Sequence, residues 1–405
     1  MLTIAATSHG PSGPPRDLRP ETRGEVPSSS VPKKRITELD GLRGIAILLV
    51  IIQHYLVILG VSPGSALWYA LVCFRLCWSG VELFFVLSGF LIGGILLDVR
   101  DSPRYYRTFY LRRVFRIIPV YYAFLLVVFS LASLNLTQEW WRQLFYNNVP
   151  APIYATFLLN FWDVYSPTTT PVVIPVALTI LWSLAVEEQF YLLLPFVIRR
   201  AGRALVPLLA TGIILAPALR VALQHESPGA TKTFCLALAA VLMFGHADNL
   251  LLGVLAAVAV RNEKANGWIK THVRLLYGIL GVLLVGMGVL SFKWYPGEPL
   301  DYTWVGLFYA CLLLIGVSEE SGVVKKLLNL KPLIELGVVA YGLYLFHQLV
   351  NGLAHGLILG GNYAISGWRD ALVTLFSFLL VFTLARLSWR WFEKPLVRVG
   401  HRYRY

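Results

Sequence analysis

An all-α, polytopic membrane fold is what this chain predicts, on three observations. Hydrophobic residues fill 57% of its 405 positions and charged residues only 14%, against about 25% charged in ordinary soluble domains. Ten apolar stretches, near 41–60, 80–98, 117–134, 180–198, 204–223, 235–260, 274–292, 302–318, 334–359 and 369–391, are each about long enough to cross some 30 Å of hydrocarbon as a helix. With the N-terminus inside, 29 of the 35 Lys and Arg fall in cytoplasmic segments and six on the other side. That bias fits the positive-inside rule, an even number of spans and two cytoplasmic termini. The expected location is the plasma (inner) membrane.

The elements follow in order. Residues 1–34, rich in Pro, Gly, Ser and charge, have no apolar core and are expected to form a disordered cytoplasmic tail. Lys33, Lys34 and Arg35 ahead of the first span give a signal-anchor pattern. Residues 35–396 hold the spans, and 397–405 form a basic cytoplasmic tail. The stretch Tyr154–Trp162 is too short to cross and is expected to lie at the interface or to re-enter. Gly89 and Gly93 in the second span make a GxxxG pattern that allows a close helix crossing. The outer aromatic residues Trp140, Trp141, Tyr146, Tyr154 and Trp162 suit interface anchoring better than sugar stacking.

Several function classes find no support. Topology and anionic lipid account for the net charge of +13, so no nucleic-acid partner is implied. The four cysteines lack metal-site spacing, and His246-Ala247-Asp248 has no neighbouring Cys or His to complete a site, so no metal is expected. Neither a GxSxG elbow nor a GxxxxGK[ST] loop is present.

Ionisable groups at bilayer depth cost about 2.5–3.5 kcal/mol each on insertion scales, so each requires a reason. In "LDGLRGIAILLVIIQHY", Arg43 and His54 are eleven residues apart. A helix places both on one face, about 16 Å apart along the axis. His54 lies about six residues, ~9 Å, below the outer end of its span. In "ILWSLAVEEQFYLLLP", Glu187 is expected at comparable depth, where a carboxylate can orient the imidazole as in general-base catalysis. Glu188 points about 100° away, so one of the two acids faces the cavity while the other pairs with an arginine or a backbone group. Interhelical glue is the alternative for both. In "FYLRRVFRIIPVYY", Arg113 and Arg116 share a helical face within a field of six arginines over residues 100–116. Such a field is either a topology anchor or a site for a phosphorylated ligand. Trp182, Glu82 and Glu188 are the candidate substrate contacts.

Taken together these stretches resemble the membrane-bound acyltransferase family 3, O-acyltransferases of surface polymers and some secondary metabolites. The likeness runs from Arg35 to about Leu396 through "LDGLRGIAILLVIIQHY", "GVELFFVLSGFL", "LRRVFRIIPVYY", "LWSLAVEEQFYLLLP", "HADNLLLGVLAA", "AYGLYLFHQLV" and "WFEKPL". The resemblance implies a catalytic His54, required arginines at Arg43, Arg113 and Arg116, and a cytoplasmic acyl-coenzyme A donor, most simply acetyl-CoA. It also implies a carbohydrate or lipid-linked glycan acceptor. Glu82 stands where the family often has Asp. Some relatives add an extracytoplasmic SGNH-type domain, so transfer here is expected to finish within the membrane domain or to pass to an unlinked partner. A proton-coupled transporter built on the same His, Glu and Arg residues is the competing expectation.

Overall fold

A computed structural model describes residues 36–56, 72–165, 173–225, 242–291, 300–361, 365 and 367–405. The tail expected over 1–34 lies outside the described residues. Residues Ile36–Tyr405 form one compact unit, helical throughout, with no strand among the described residues. In chain order the helices are α1 (Thr37–Tyr55), α2 (Gly80–Asp98), α3 (Tyr105–Ala132), α4 (Glu139–Phe145), α5 (Ala151–Ala155), α6 (Leu159–Tyr165), α7 (Leu181–Ala201), α8 (Leu205–His225), α9 (Ala247–Arg261), α10 (Glu263–Thr271), α11 (Val273–Ser291), α12 (Asp301–Ser318), α13 (Val323–Leu328), α14 (Lys331–Val338), α15 (Ala340–Leu359), α16 (Trp368–Ser388) and α17 (Lys394–His401).

Each of the ten apolar stretches is mostly helical where it is described, with breaks at Leu56, Leu242 and Val339. Among the described residues, seven segments are long and apolar enough to cross a membrane, or eight when α14 and α15, bent by 77°, count as one broken span. One of the seven, Val176–Leu223, contains both α7 and α8, joined through a short 3-10 turn at Gly202–Ala204. The protein is a multi-pass integral membrane protein. The stretch Tyr154–Trp162 is divided between α5 and α6, with Phe157 at φ 56° between them.

Burial separates central helices from peripheral ones. In the α2 window 72% of residues are buried, against 17% for Val273–Leu290 of α11. The α2 helix is central because its glycines admit a neighbouring backbone. A Cβ on Gly89 would overlap the Leu250 carbonyl of α9, and one on Gly253 would overlap the Val86 carbonyl of α2. Without a hydrophobic force between helices in lipid, such small-residue crossings bring backbones into van der Waals contact. The outer aromatics divide: Tyr146 is 53% exposed, whereas others pack inward. Tyr154 and Trp141 are core residues, and Trp140 packs on Gly356 and Gly361 at the end of α15. An apolar aromatic body fills a helix crossing as readily as it anchors an interface.

The basic end 397–405 is docked on α3. Arg112 donates from Nε and Nη2 to the Tyr403 carbonyl at 3.0 and 2.7 Å, and Thr108 donates to the Arg404 carbonyl at 3.0 Å. The chain end thus lies one turn from Arg113 and Arg116.

Candidate active site

The two polar residues of α1 remain on one continuous helix, so the axial separation of about 16 Å holds. Its upper end differs from expectation. Leu56 leaves helical geometry at φ −110°, ψ 21°, which puts His54 in the last turn rather than about six residues below the end. Apolar length cannot distinguish helix from non-helical apolar chain, and 57–60 lie outside the described residues. His54 Nδ1 lies 2.8 Å from the Val50 carbonyl. A carbonyl only accepts, so Nδ1 carries the hydrogen and Nε2 of the neutral ring is the basic atom. Nε2 makes no hydrogen bond among the described residues, and the residue is partly exposed.

Beside His54 is a residue that the sequence reading left without a role. His347 of α15 brings Nε2 to 3.4 Å from His54 Nδ1, with the ring centroids 5.0 Å apart in an edge arrangement. Glu187, expected to orient the imidazole, does not reach it. Its Oε2 accepts instead from Tyr191 at 3.3 Å, and Tyr191 is 2.6 Å from Ser88 of α2. Residues 187 and 191 stack four apart on α7, and Ser88 of α2 also bonds the Glu187 carboxylate. A lone imidazole in the apolar run of "AYGLYLFHQLV" was the available signal for His347, since the cost of burying it is the same argument that singles out His54.

At the other end of α1, Arg43 donates to Asp40 at 3.1 Å with its side chain 24% exposed. It interacts electrostatically with Arg113 and Arg116 of α3. Arg116 makes no hydrogen bond or ion pair among the described residues, and Arg113 Nε is buried without a partner. The Arg113 guanidinium lies 5.8 Å from the Tyr191 ring. Glu187 and Glu188 are the nearby acids, interacting electrostatically with Arg113. A further acid is Glu393 of "WFEKPL", carried by a π-helical turn at Trp389–Glu393; it accepts from Ser388 at 2.8 Å and feels Arg116. Arg43, Arg113, Arg116, Glu187 and Glu188 all keep some exposed surface.

Glu82 is corrected. It is 2% exposed, contacts His246 Nδ1 at 3.0 Å and accepts from Asn249. Its carboxylate is occupied by these two partners. Trp182 remains partly exposed, with its ring 5.4 Å from His246. Close by, Arg220 forks onto Asp248 at 3.1 and 2.7 Å, and Thr303 bridges the pair.

A family described as "Acyltransferase domain" matches residues 36–399. Among curated proteins, an O-acetyltransferase OatA of Staphylococcus aureus (strain NCTC 8325 / PS 47) is 27% identical, over 89% of this chain and 57% of the relative. A peptidoglycan O-acetyltransferase OatA of Listeria monocytogenes is 27% identical, over 91% and 57%. A putative peptidoglycan O-acetyltransferase YrhL of Bacillus subtilis is 28% identical, over 91% and 56%. This chain therefore spans little more than half the length of these relatives. No solved structure matches.

Proposed function

Since this chain belongs to the acyltransferase domain family and is an enzyme that transfers acyl groups, we propose that it moves an acetyl group from cytoplasmic acetyl-CoA to a hydroxyl of peptidoglycan. The observation that carries this reading is the arrangement on α1: a partly exposed arginine cluster at one end and an unpartnered imidazole nitrogen at the other. The acceptor is that of the peptidoglycan O-acetyltransferases to which the chain is similar, and acetyl is the group that these relatives transfer.

The donor's phosphates cannot enter hydrocarbon, and guanidinium groups bind phosphate oxygens through forked hydrogen bonds. Arg113 and Arg116, with few partners of their own, take the phosphates, and Arg43 flanks the arm that carries the thioester along α1. At its far end His54 Nε2 takes the proton of the acceptor hydroxyl as its oxygen attacks the thioester carbonyl. The C–S bond breaks, and the leaving thiolate takes that proton from His54 as free CoA thiol. An acyl-His54 intermediate gives the same balance in two steps, and ping-pong kinetics mark it. Glu187 and Glu188 hold the arginines in place between turnovers.

The test is CoA thiol release by the purified protein in nanodiscs supplied with acetyl-CoA and soluble muropeptides, followed by mass spectrometry of the muropeptides. A mass gain of one acetyl group, abolished in His54→Ala, is expected. Thiol release without acetylated muropeptide removes the acceptor assignment, and undiminished transfer by His54→Ala removes the mechanism.

A further inference from the structure

His347 is a buried titratable group in ring contact with His54, and the chemistry above leaves it unused. It has no exposed surface. Its Nδ1 lies 2.7 Å from the Tyr344 carbonyl, so Nδ1 bears the hydrogen and Nε2 of the neutral ring is a lone pair. That lone pair is 3.4 Å from His54 Nδ1, the atom whose hydrogen also points to Val50. We propose that His347 is the positioning residue for His54: its Nε2 accepts from His54 Nδ1–H together with the Val50 carbonyl, holding Nε2 of His54 toward the acceptor hydroxyl. This rests on His54 being the base. When His54 takes the proton, the same lone pair faces the imidazolium and stabilises it. A general base commonly has such a third group to fix its tautomer and orientation.

The surroundings fix His347 in turn. Tyr55, the residue after His54, donates to the His347 carbonyl at 2.9 Å and is 3.3 Å from Ser377 of α16. Tyr344 donates to the Ile180 carbonyl at 3.2 Å and also bonds Ser183. Through these links α1, α7, α15 and α16 register the two imidazoles against each other. A neutral lone pair also suits the site. A carboxylate in that position would carry a desolvation penalty of several kcal/mol, and every charge near it at this depth would have to be balanced.

Two amide substitutions separate positioning from packing. His347→Asn keeps an N–H near the Tyr344 carbonyl but leaves nothing where Nε2 was. His347→Gln restores an acceptor oxygen at that place. In the nanodisc transfer assay, His347→Asn should lower kcat by about 10- to 100-fold, part of the 10²–10⁴ that a general base supplies, with donor KM within about twofold. His347→Gln should recover to within about fivefold of the unaltered protein, and both variants should unfold at its temperature. Unaltered kcat in His347→Asn overturns the proposal, as do equal losses in both variants accompanied by a lower unfolding temperature. His54→Ala assayed in parallel separates the two readings. If it still transfers, the base assignment fails; if it is inert while His347→Asn is fully active, only the positioning role fails.

Discussion

Two polar clusters lie within this bundle, and they handle charge in opposite ways. Around α9, Glu82, His246, Asn249, Arg220 and Asp248 are all at most 3% exposed, and the charged groups each have a close partner, the Asn249 amide oxygen alone of this set lacking one among the described residues. Around the lower half of α1, Arg43, Arg113, Arg116, Glu187 and Glu188 are partly exposed and thinly paired. Charge persists in low dielectric either by being sealed against a partner or by keeping a route to water or ligand. The first cluster takes the first course and ties α2, α8, α9 and α12 together. The second takes the other, which is what a transient polyanionic substrate requires. Sequence alone makes these clusters look alike, since both consist of charges in apolar helices.

The largest effect that tests this contrast comes from the sealed cluster. Arg220→Ala leaves Asp248 buried without its forked partner and should cost about 3–5 kcal/mol of stability, seen as a large fall in unfolding temperature in detergent. Arg113→Ala should raise donor KM by about tenfold or more, the loss of a charge-assisted hydrogen bond of about 1.5–3 kcal/mol, without moving the unfolding temperature. If Arg113→Ala destabilises the protein as Arg220→Ala does, the distinction between the clusters collapses. Glu82→Gln retains shape and an acceptor for Asn249 while removing charge beside His246; it should cost about 1–3 kcal/mol in stability and leave donor KM unchanged, which differential scanning and steady-state kinetics together read. The smallest effect is expected at the exposed Arg386–Glu335 pair, both 57% exposed, where Arg386→Ala should change stability by less than about 1 kcal/mol and activity not at all.

Much of the fold is legible in the sequence because lipid imposes a one-dimensional rule. Apolar length and helix period place α2, α7, α12 and α16 within a few residues, and the three-residue spacing of Arg113 and Arg116 puts them on one face. The failures are tertiary. His347 meets His54 across 293 positions of sequence, and Glu82 finds Asn249 across 167; no periodicity reports such partners. Depth alone points Glu187 at the imidazole, yet Tyr191, one turn along the same helix, is a hydrogen-bond partner. The end of α1 at Tyr55 was hidden for a different reason, since the apolar run continues past it. The basic segment 397–405 looked like a solvated tail by charge, but main-chain carbonyls at Tyr403 and Arg404 are held by α3.

The most direct test of the account is a cryo-electron microscopy map of the protein in nanodiscs with coenzyme A bound. Phosphate density within hydrogen-bonding distance of Arg113 and Arg116, with the thiol about 3–4 Å from His54 Nε2, is the predicted result. Coenzyme A bound with its thiol directed away from α1, or phosphates seated elsewhere than on these two arginines, would contradict it.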